Sequence, residues 1–189
     1  MRHVARGTEE RGEILIVTGP AASGKTSTAL RVATESAEPS VHLHADDFFH
    51  ALKVGRLRGW EDGATSQHEI VFEAVAKAAT TYAAGGYFVV VDSFIRPRYF
   101  GLVQDTIAGE QIDLHVVVLR PNYAEALARS HKRDASKRHD DSVFEELYHA
   151  FDSIGELETH VIDNSTLDES ETAEIVRNRY LAGQLRLLR

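Results

Sequence analysis

An apolar run that ends in a glycine-framed turn leaves a chain few ways to fold. Glu13-Ile14-Leu15-Ile16-Val17-Thr18 reads as a buried strand. Gly19-Pro20-Ala21-Ala22-Ser23-Gly24-Lys25-Thr26 follows at once and fits the phosphate-loop pattern G-x-x-x-x-G-K-[ST]. From Lys25 to about Ala37 the chain reads as a helix, with Ala29, Leu30, Val32 and Ala33 as its apolar positions. Gly19 and Gly24 permit backbone angles and close approach that a side chain would forbid. The loop N–H groups then converge on phosphate oxygens at the positive end of the helix dipole. Lys25 is suited to the outer phosphates, and the Thr26 hydroxyl to Mg²⁺, which prefers hard oxygen ligands. The stretch from Gly19 to Ser27 is therefore the expected cradle for ATP with Mg²⁺.

The rest of the composition narrows the class. The chain has 189 residues, 43% of them hydrophobic, which suits one domain with a sizeable core. It has no cysteine, so neither a disulfide scaffold nor a thiol nucleophile exists, in keeping with a reducing cytoplasm. A formal charge of −8 argues against general nucleic-acid binding. No apolar run approaches the roughly 18 residues that span a membrane, and Met1 to Glu13 does not read as a signal peptide.

Strand and helix signals then alternate. Ser40 to Ala45 reads as a second strand ending in Asp46-Asp47-Phe48-Phe49. His42, His44 and Asp46 would share one face of it, as a metal site or as an exposed strand. Leu52 to Gly63 has loop composition. Its Trp60 would either line a substrate entrance or pin the loop to the core. Ser66 to Ala84 reads as a helix opened by a Ser66–Glu69 capping box, with an apolar row of Ile70, Ala74, Ala78 and Tyr82 beside Val71, Val75 and Ala79. Tyr87 to Asp92 is an unbroken apolar run, as in a strand buried on both faces of a parallel sheet. Beyond it lie a helix from about Tyr99, a strand from Asp113 to Leu119 and a helix from Asn122 to about Arg133. A helix opened by Ser142 and Glu145, a short strand from His160 to Asp163 and a helix opened by Thr166 and Glu169 complete the chain. This is the pattern of one α/β domain with a five-stranded parallel sheet and helices on both faces.

Ligands of such sheets sit beyond the carboxyl ends of the strands. Asp92, at one such end, is the expected acidic partner of Mg²⁺ beside Thr26. Arg96 and Arg98 follow it, either gripping substrate or solvated at the surface. The segment from Arg129 to Arg138 is locally basic in an acidic protein. Arg129 and Arg133 share a helix face and would carry charge to the transferring phosphate on a closing lid around residues 129–139.

These residues together resemble the P-loop small-molecule kinases, above all the chloramphenicol phosphotransferase-like branch, with gluconate and shikimate kinases as relatives. The resemblance runs from about Ile14 to Leu181 and rests on the glycine loop, the two acidic strand ends and the arginine segment. It implies a three-layer P-loop NTPase fold with strand order 2-3-1-4-5. It also implies that Asp46 deprotonates the accepting hydroxyl. Phe48, Phe49, Trp60, Phe94, Arg96 and Arg98 are candidates for the acceptor pocket, with Asp47 beside them. Shikimate kinases carry a spaced aspartate pair, whereas Asp46 and Asp47 are adjacent here. Either carboxylate could therefore face the substrate. The function expected is ATP-dependent phosphorylation of a small-molecule hydroxyl. A nucleotide, polynucleotide or sugar-nucleotide kinase, or a non-catalytic ATP-binding regulator, are the alternatives.

Overall fold

A computed structural model describes residues 12–57, 61–96, 99–108, 110, 112–133 and 140–187. Trp60, Arg98 and residues 134–139 of the arginine segment lie outside these. Five strands, β1 (Gly12–Thr18), β2 (Ser40–His44), β3 (Phe88–Asp92), β4 (Ile112–Leu119) and β5 (Val161–Ile162), form one sheet. Its order is β2-β3-β1-β4-β5, and every pairing is parallel. This is the order that the resemblance implies.

Alternation along the central strands builds two cores. Ile14, Ile16, Val89, Val91, Val116 and Val118 face one side, covered by α3 (Ala64–Ala84) and α4 (Phe100–Ile107). Leu15, Val17, Val90, Val117 and Leu119 face the other, covered by α1 (Lys25–Thr34) and α7 (Glu169–Leu181). Each such side chain taken from water contributes roughly 1.5–3 kcal/mol. Burial on both faces explains why β1, β3 and β4 read as continuous apolar runs.

Several boundaries differ from expectation, each for a local reason. Asp46 and Asp47 do not end a strand. They occupy the first turn of a short helix, α2 (Ala45–Ala51), where carboxylates complement the helix dipole. The helix α3 starts at Ala64, with Gly63 as N-cap at φ 84° and no side-chain cap. Ser66 is therefore inside it, and no Ser66–Glu69 box forms. Its buried stripe is Val71, Phe72, Val75, Ala76, Ala79 and Ala83, while Ile70 is 67% exposed. The apolar row proposed through Ile70 and Tyr82 was one position out of phase with the core.

The chain then forms α5 (Tyr123–His131), capped by the Asn122 side chain on Glu125 N–H, and α6 (Asp141–His149), whose N-cap is Asp140 rather than Ser142. The true box at the last helix is Asp168 with Glu171, two residues beyond the Thr166–Glu169 pair. Among the described residues, no helix is long and apolar enough to cross a membrane.

Candidate nucleotide and phosphoryl-transfer site

The glycine loop joins β1 to α1 in a conformation that no regular element dictates. Gly19 has φ 140°, Ala22 φ 58° and Gly24 φ 89°. At Gly19 a Cβ would sit 2.1 Å from the Leu119 carbonyl oxygen, so glycine is required there for space as well as for angle. Ala22 is the sole non-glycine residue with positive φ among the described ones. It is held by burial against Ala126, Phe144 and Tyr148, so helices α5 and α6 support the loop from outside. Gly19→Ala is expected to destabilise the fold by about 3 kcal/mol or more, as strain and overpacking add. Urea unfolding followed by circular dichroism checks this, and an unchanged midpoint contradicts the packing described.

The start of α1 has free donors. Gly24 is its N-cap, no side chain caps it, and the first intrahelical bond runs from Thr28 N–H to Gly24 O at 3.0 Å. The preceding N–H groups of the first turn are thus left for a ligand. The Ser27 hydroxyl turns back to donate to Gly24 O at 3.1 Å. Thr26 is exposed at the same turn.

Lys25 lies at the centre of the charge arrangement. Its ammonium donates to Pro20 O at 2.8 Å and stands 5.9 Å from the Phe94 ring centroid. Burial, and then the nearby positive charge of Arg133, push its pKa down to about 8, while Asp46 and Asp92 act in the opposite direction. Asp46, Asp92 and Arg133, from three separate stretches, therefore each lie within electrostatic reach of Lys25.

Asp92 is 1% exposed, and neither carboxylate oxygen has a hydrogen-bond partner among the described residues. The imidazoles of His42 and His44 each place Nε2 3.7 Å from Asp92 Oδ1, beyond hydrogen-bonding reach. A buried carboxylate so placed is costly unless a cation joins it. Asp92 with the hydroxyl of Thr26 is a donor set that fits Mg²⁺, which keeps waters and phosphate oxygens among its ligands and needs no protein cage. Among the described residues, no three His, Asp or Glu side chains form a metal-binding group by themselves. The strand face of His42, His44 and Asp46 is therefore not a metal cage, because Asp46 has left the strand for α2.

His44 sits among three carboxylates. Its Nδ1 is 3.5 Å from Asp47 Oδ1, and its Nε2 is 3.8 Å from Asp46 Oδ2 as well as 3.7 Å from Asp92. The two aspartates of α2 differ in what surrounds them. Asp46 is an electrostatic neighbour of Lys25. Asp47 is exposed beside His44. Phe48 packs partly buried on the α3-side core.

Two arginines stand apart from the phosphate loop. Arg96 lies over Phe94, 5.7 Å from the ring centroid, and pairs at 3.4 Å with Glu146 on α6. Arg129 does not face the loop. Its Nε donates to Glu125 at 2.8 Å, and its Nη2 to Asn164 O at 2.8 Å. Nor do Arg129 and Arg133 share a helix face, because α5 ends at His131 and Arg133 lies beyond its C-cap, while Glu125 and the Asn164 carbonyl hold Arg129 where it is.

Sequence reasoning missed Asn164 altogether. Its Nδ2 donates to Ser23 O at 2.9 Å, buried, across 141 residues of chain. A signal existed, since Asn164 follows the last strand at its carboxyl end, where a parallel sheet presents functional groups. Phe94, just beyond β3, has both the Lys25 ammonium and the Arg96 guanidinium near its ring. Its place between Lys25 and Arg96 could not be read from spacing.

The family model described as chloramphenicol phosphotransferase-like protein matches residues 12–181. No curated protein matches the chain. An unliganded sugar kinase from Janibacter sp. is similar in structure at 17% identity and TM-score 0.66, over 88% of this chain and 93% of its own. The tunicamycin resistance protein of Deinococcus radiodurans, at 17% identity and TM-score 0.66, aligns over 95% of this chain and 100% of its own. Shikimate kinase from Acinetobacter baumannii, in complex with shikimate, gives 16% identity and TM-score 0.63 over 94% of this chain and 97% of its own. At these identities the likeness is one of fold.

Proposed function

Because the chain belongs to the family of chloramphenicol phosphotransferase-like proteins, we propose that it is an ATP-dependent kinase that phosphorylates a hydroxyl group of a small molecule. The observation that carries this reading is that Lys25, at the uncapped start of α1, has Asp46, Asp92 and Arg133 as electrostatic neighbours. Phosphoryl transfer asks for charge neutralisation and in-line placement more than for covalent chemistry. That set divides the two tasks.

The loop N–H groups and Lys25 hold the β- and γ-phosphates. Asp92 and Thr26 hold Mg²⁺, which supplies further neutralisation of the phosphate oxygens. Asp46 accepts the proton of the incoming hydroxyl as its oxygen bonds to the γ-phosphorus and the bond to ADP breaks. Arg133 meets the charge on the transferred group. Arg129 has a different task in this reading, as an anchor for the loop after β5. Phe48 and Arg96 border the acceptor side, and Asp47 contributes through His44.

Incubation with MgATP and a panel of small alcohols, aromatic and sugar-like, tests the reading through ADP release and a phosphate-ester signal in ³¹P NMR. Acceptor-dependent ADP release supports it. Tight ATP binding with no transfer to any alcohol, nucleotide or oligonucleotide favours the regulator instead.

Asp92→Asn gives an independent check on the metal. The Mg²⁺ concentration for half-maximal activity is expected to rise about tenfold or more, because the ligand loses its charge. The melting temperature of the nucleotide-free protein is expected not to fall, since a buried carboxylate without a hydrogen bond is neutralised. An unchanged Mg²⁺ dependence overturns the assignment of Asp92.

A further inference from the structure

We infer that Asn164 is a positioning residue of the phosphate loop, which fixes the one peptide plane that decides whether the loop offers a donor or an acceptor to the nucleotide. The inference rests on the kinase reading above. In a planar trans peptide the carbonyl and the N–H point in opposite directions, and the described chain has no cis peptide. The Ser23 carbonyl accepts from Asn164 Nδ2 at 2.9 Å. The Gly24 N–H of the same peptide must then point away from Asn164. Among the described residues it donates to no backbone carbonyl outside the regular elements, so it is free to meet a phosphate.

This orientation is not guaranteed by the loop. Gly24 has φ 89°, and glycine occupies the mirror-related negative φ about as readily. Rotation of the Ser23–Gly24 peptide is therefore open to the backbone. A rotated peptide would turn a carbonyl oxygen toward the phosphates, where like partial charges repel. The glycine that permits the loop also permits its inactive form, and something must choose. Asn164 has the chemistry to do so. Its amide nitrogen must face Ser23, because its oxygen would repel the carbonyl.

The residue is built in at a cost. It is 2% exposed, and its Oδ1 is buried without a partner, a feature that a purely structural site would gain by avoiding. Its own backbone is bolted in place. Asn164 O accepts from Arg129 Nη2 at 2.8 Å, and Arg129 is in turn held by Glu125. Ser165 beside it accepts from Asn122 N–H at 2.7 Å through its hydroxyl. The loop after β5 is thus tied to α5 on one side and to the phosphate loop on the other.

The test uses the full chain, Asn164→Leu, and Asn164→Asp as a second variant of nearly unchanged volume that lacks the donor. In the wild type, adding MgATP is expected to move the Gly24 amide proton downfield in an ¹H–¹⁵N spectrum. In both variants that shift is expected to fall by half or more, and MgATP affinity by calorimetry to weaken about tenfold, the worth of one lost hydrogen bond of this kind. A lowered melting temperature with unchanged affinity and an unchanged Gly24 shift overturns the inference, since a merely structural asparagine gives that result. If neither variant folds, the wild type still decides. A Gly24 amide that stays put while Lys25 and Thr26 respond to ATP overturns it as well. Failure of the wild type to bind MgATP at all contradicts the kinase reading instead.

Discussion

Lys25→Met is expected to lower kcat/KM for phosphoryl transfer by about 10³-fold, the scale of removing a charge fixed on the transferring group. Methionine matches the unbranched side chain as far as Cε and removes the ammonium with its charge and hydrogen bonds. The same substitution is expected to raise the melting temperature of the nucleotide-free protein. In the folded state the Lys25 pKa is about 8, against 10.5 for the free side chain. A depressed lysine pKa means that the fold disfavours the proton. Stability is therefore lost as pH falls from 10.5 toward 8, and below 8 the whole cost is present. Methionine has no proton to disfavour, so its advantage in stability is full at neutral pH and shrinks as pH rises above 8. Saturating MgATP should reverse the ranking, because only the wild-type ammonium gains phosphate partners. Thermal melts of both proteins at two pH values, with and without MgATP, read all of this. A variant that melts lower than the wild type without nucleotide contradicts the burial of Lys25, and full activity contradicts its placement on the phosphates.

Asp46→Asn is expected to reduce kcat by about 10²–10⁴-fold, the usual worth of a general base, while MgATP affinity changes little. Asparagine preserves shape but cannot take the proton of the hydroxyl. Both Asp46 and Asp47 lie in the first turn of α2, so each loses a similar interaction with the helix dipole on neutralisation. Stability alone cannot then separate them, but position does. Both are exposed beside His44, but of the two only Asp46 is an electrostatic neighbour of Lys25. Asp47→Asn, made in parallel, is expected to keep kcat within about tenfold of the wild type. Single-turnover measurements with radiolabelled ATP on the best acceptor decide the matter. Equal losses in both variants would mean that the pair acts as a unit, and a loss at Asp47 alone would exchange the roles.

The parts of the site that were legible in the sequence share a physical origin. The glycine loop is local, so its strand, turn and helix are all written within one stretch. Asp92 ends an apolar strand, and burial on both faces leaves a clear mark in composition. Long-range choices left no such mark. Arg129 and Arg133 share a periodicity, yet the acceptors that capture Arg129 belong to Asn164 and Ser165, some 35 residues later in the chain. The helix α2 was hidden because Ala45 to Ala51 is too short to show a period, and its carboxylates looked like the end of the strand before it. Caps were misplaced by two residues where several Ser, Thr and Asp stood close together, as at Thr166 and Asp168. In α3 the row of Val71, Val75 and Ala79 is buried as expected, but the row through Ile70 and Tyr82 is not, because alanines and a tyrosine allow more than one apolar stripe.

The tie between Ser23 and Asn164 also bears on how the chain acquires its activity during synthesis. Its partners stand 141 positions apart, and β5 joins the sheet only at the outer side of β4. Such a contact closes a long loop and is entropically late. The first strand, its turn and its helix can collapse early on local contacts, but the turn would then lack its final brace. ATP should be a poor helper for the nascent amino-terminal half and a strong one for the last step, when the segment after β5 docks. In refolding experiments the nucleotide is therefore expected to slow unfolding while leaving the early folding phases unchanged.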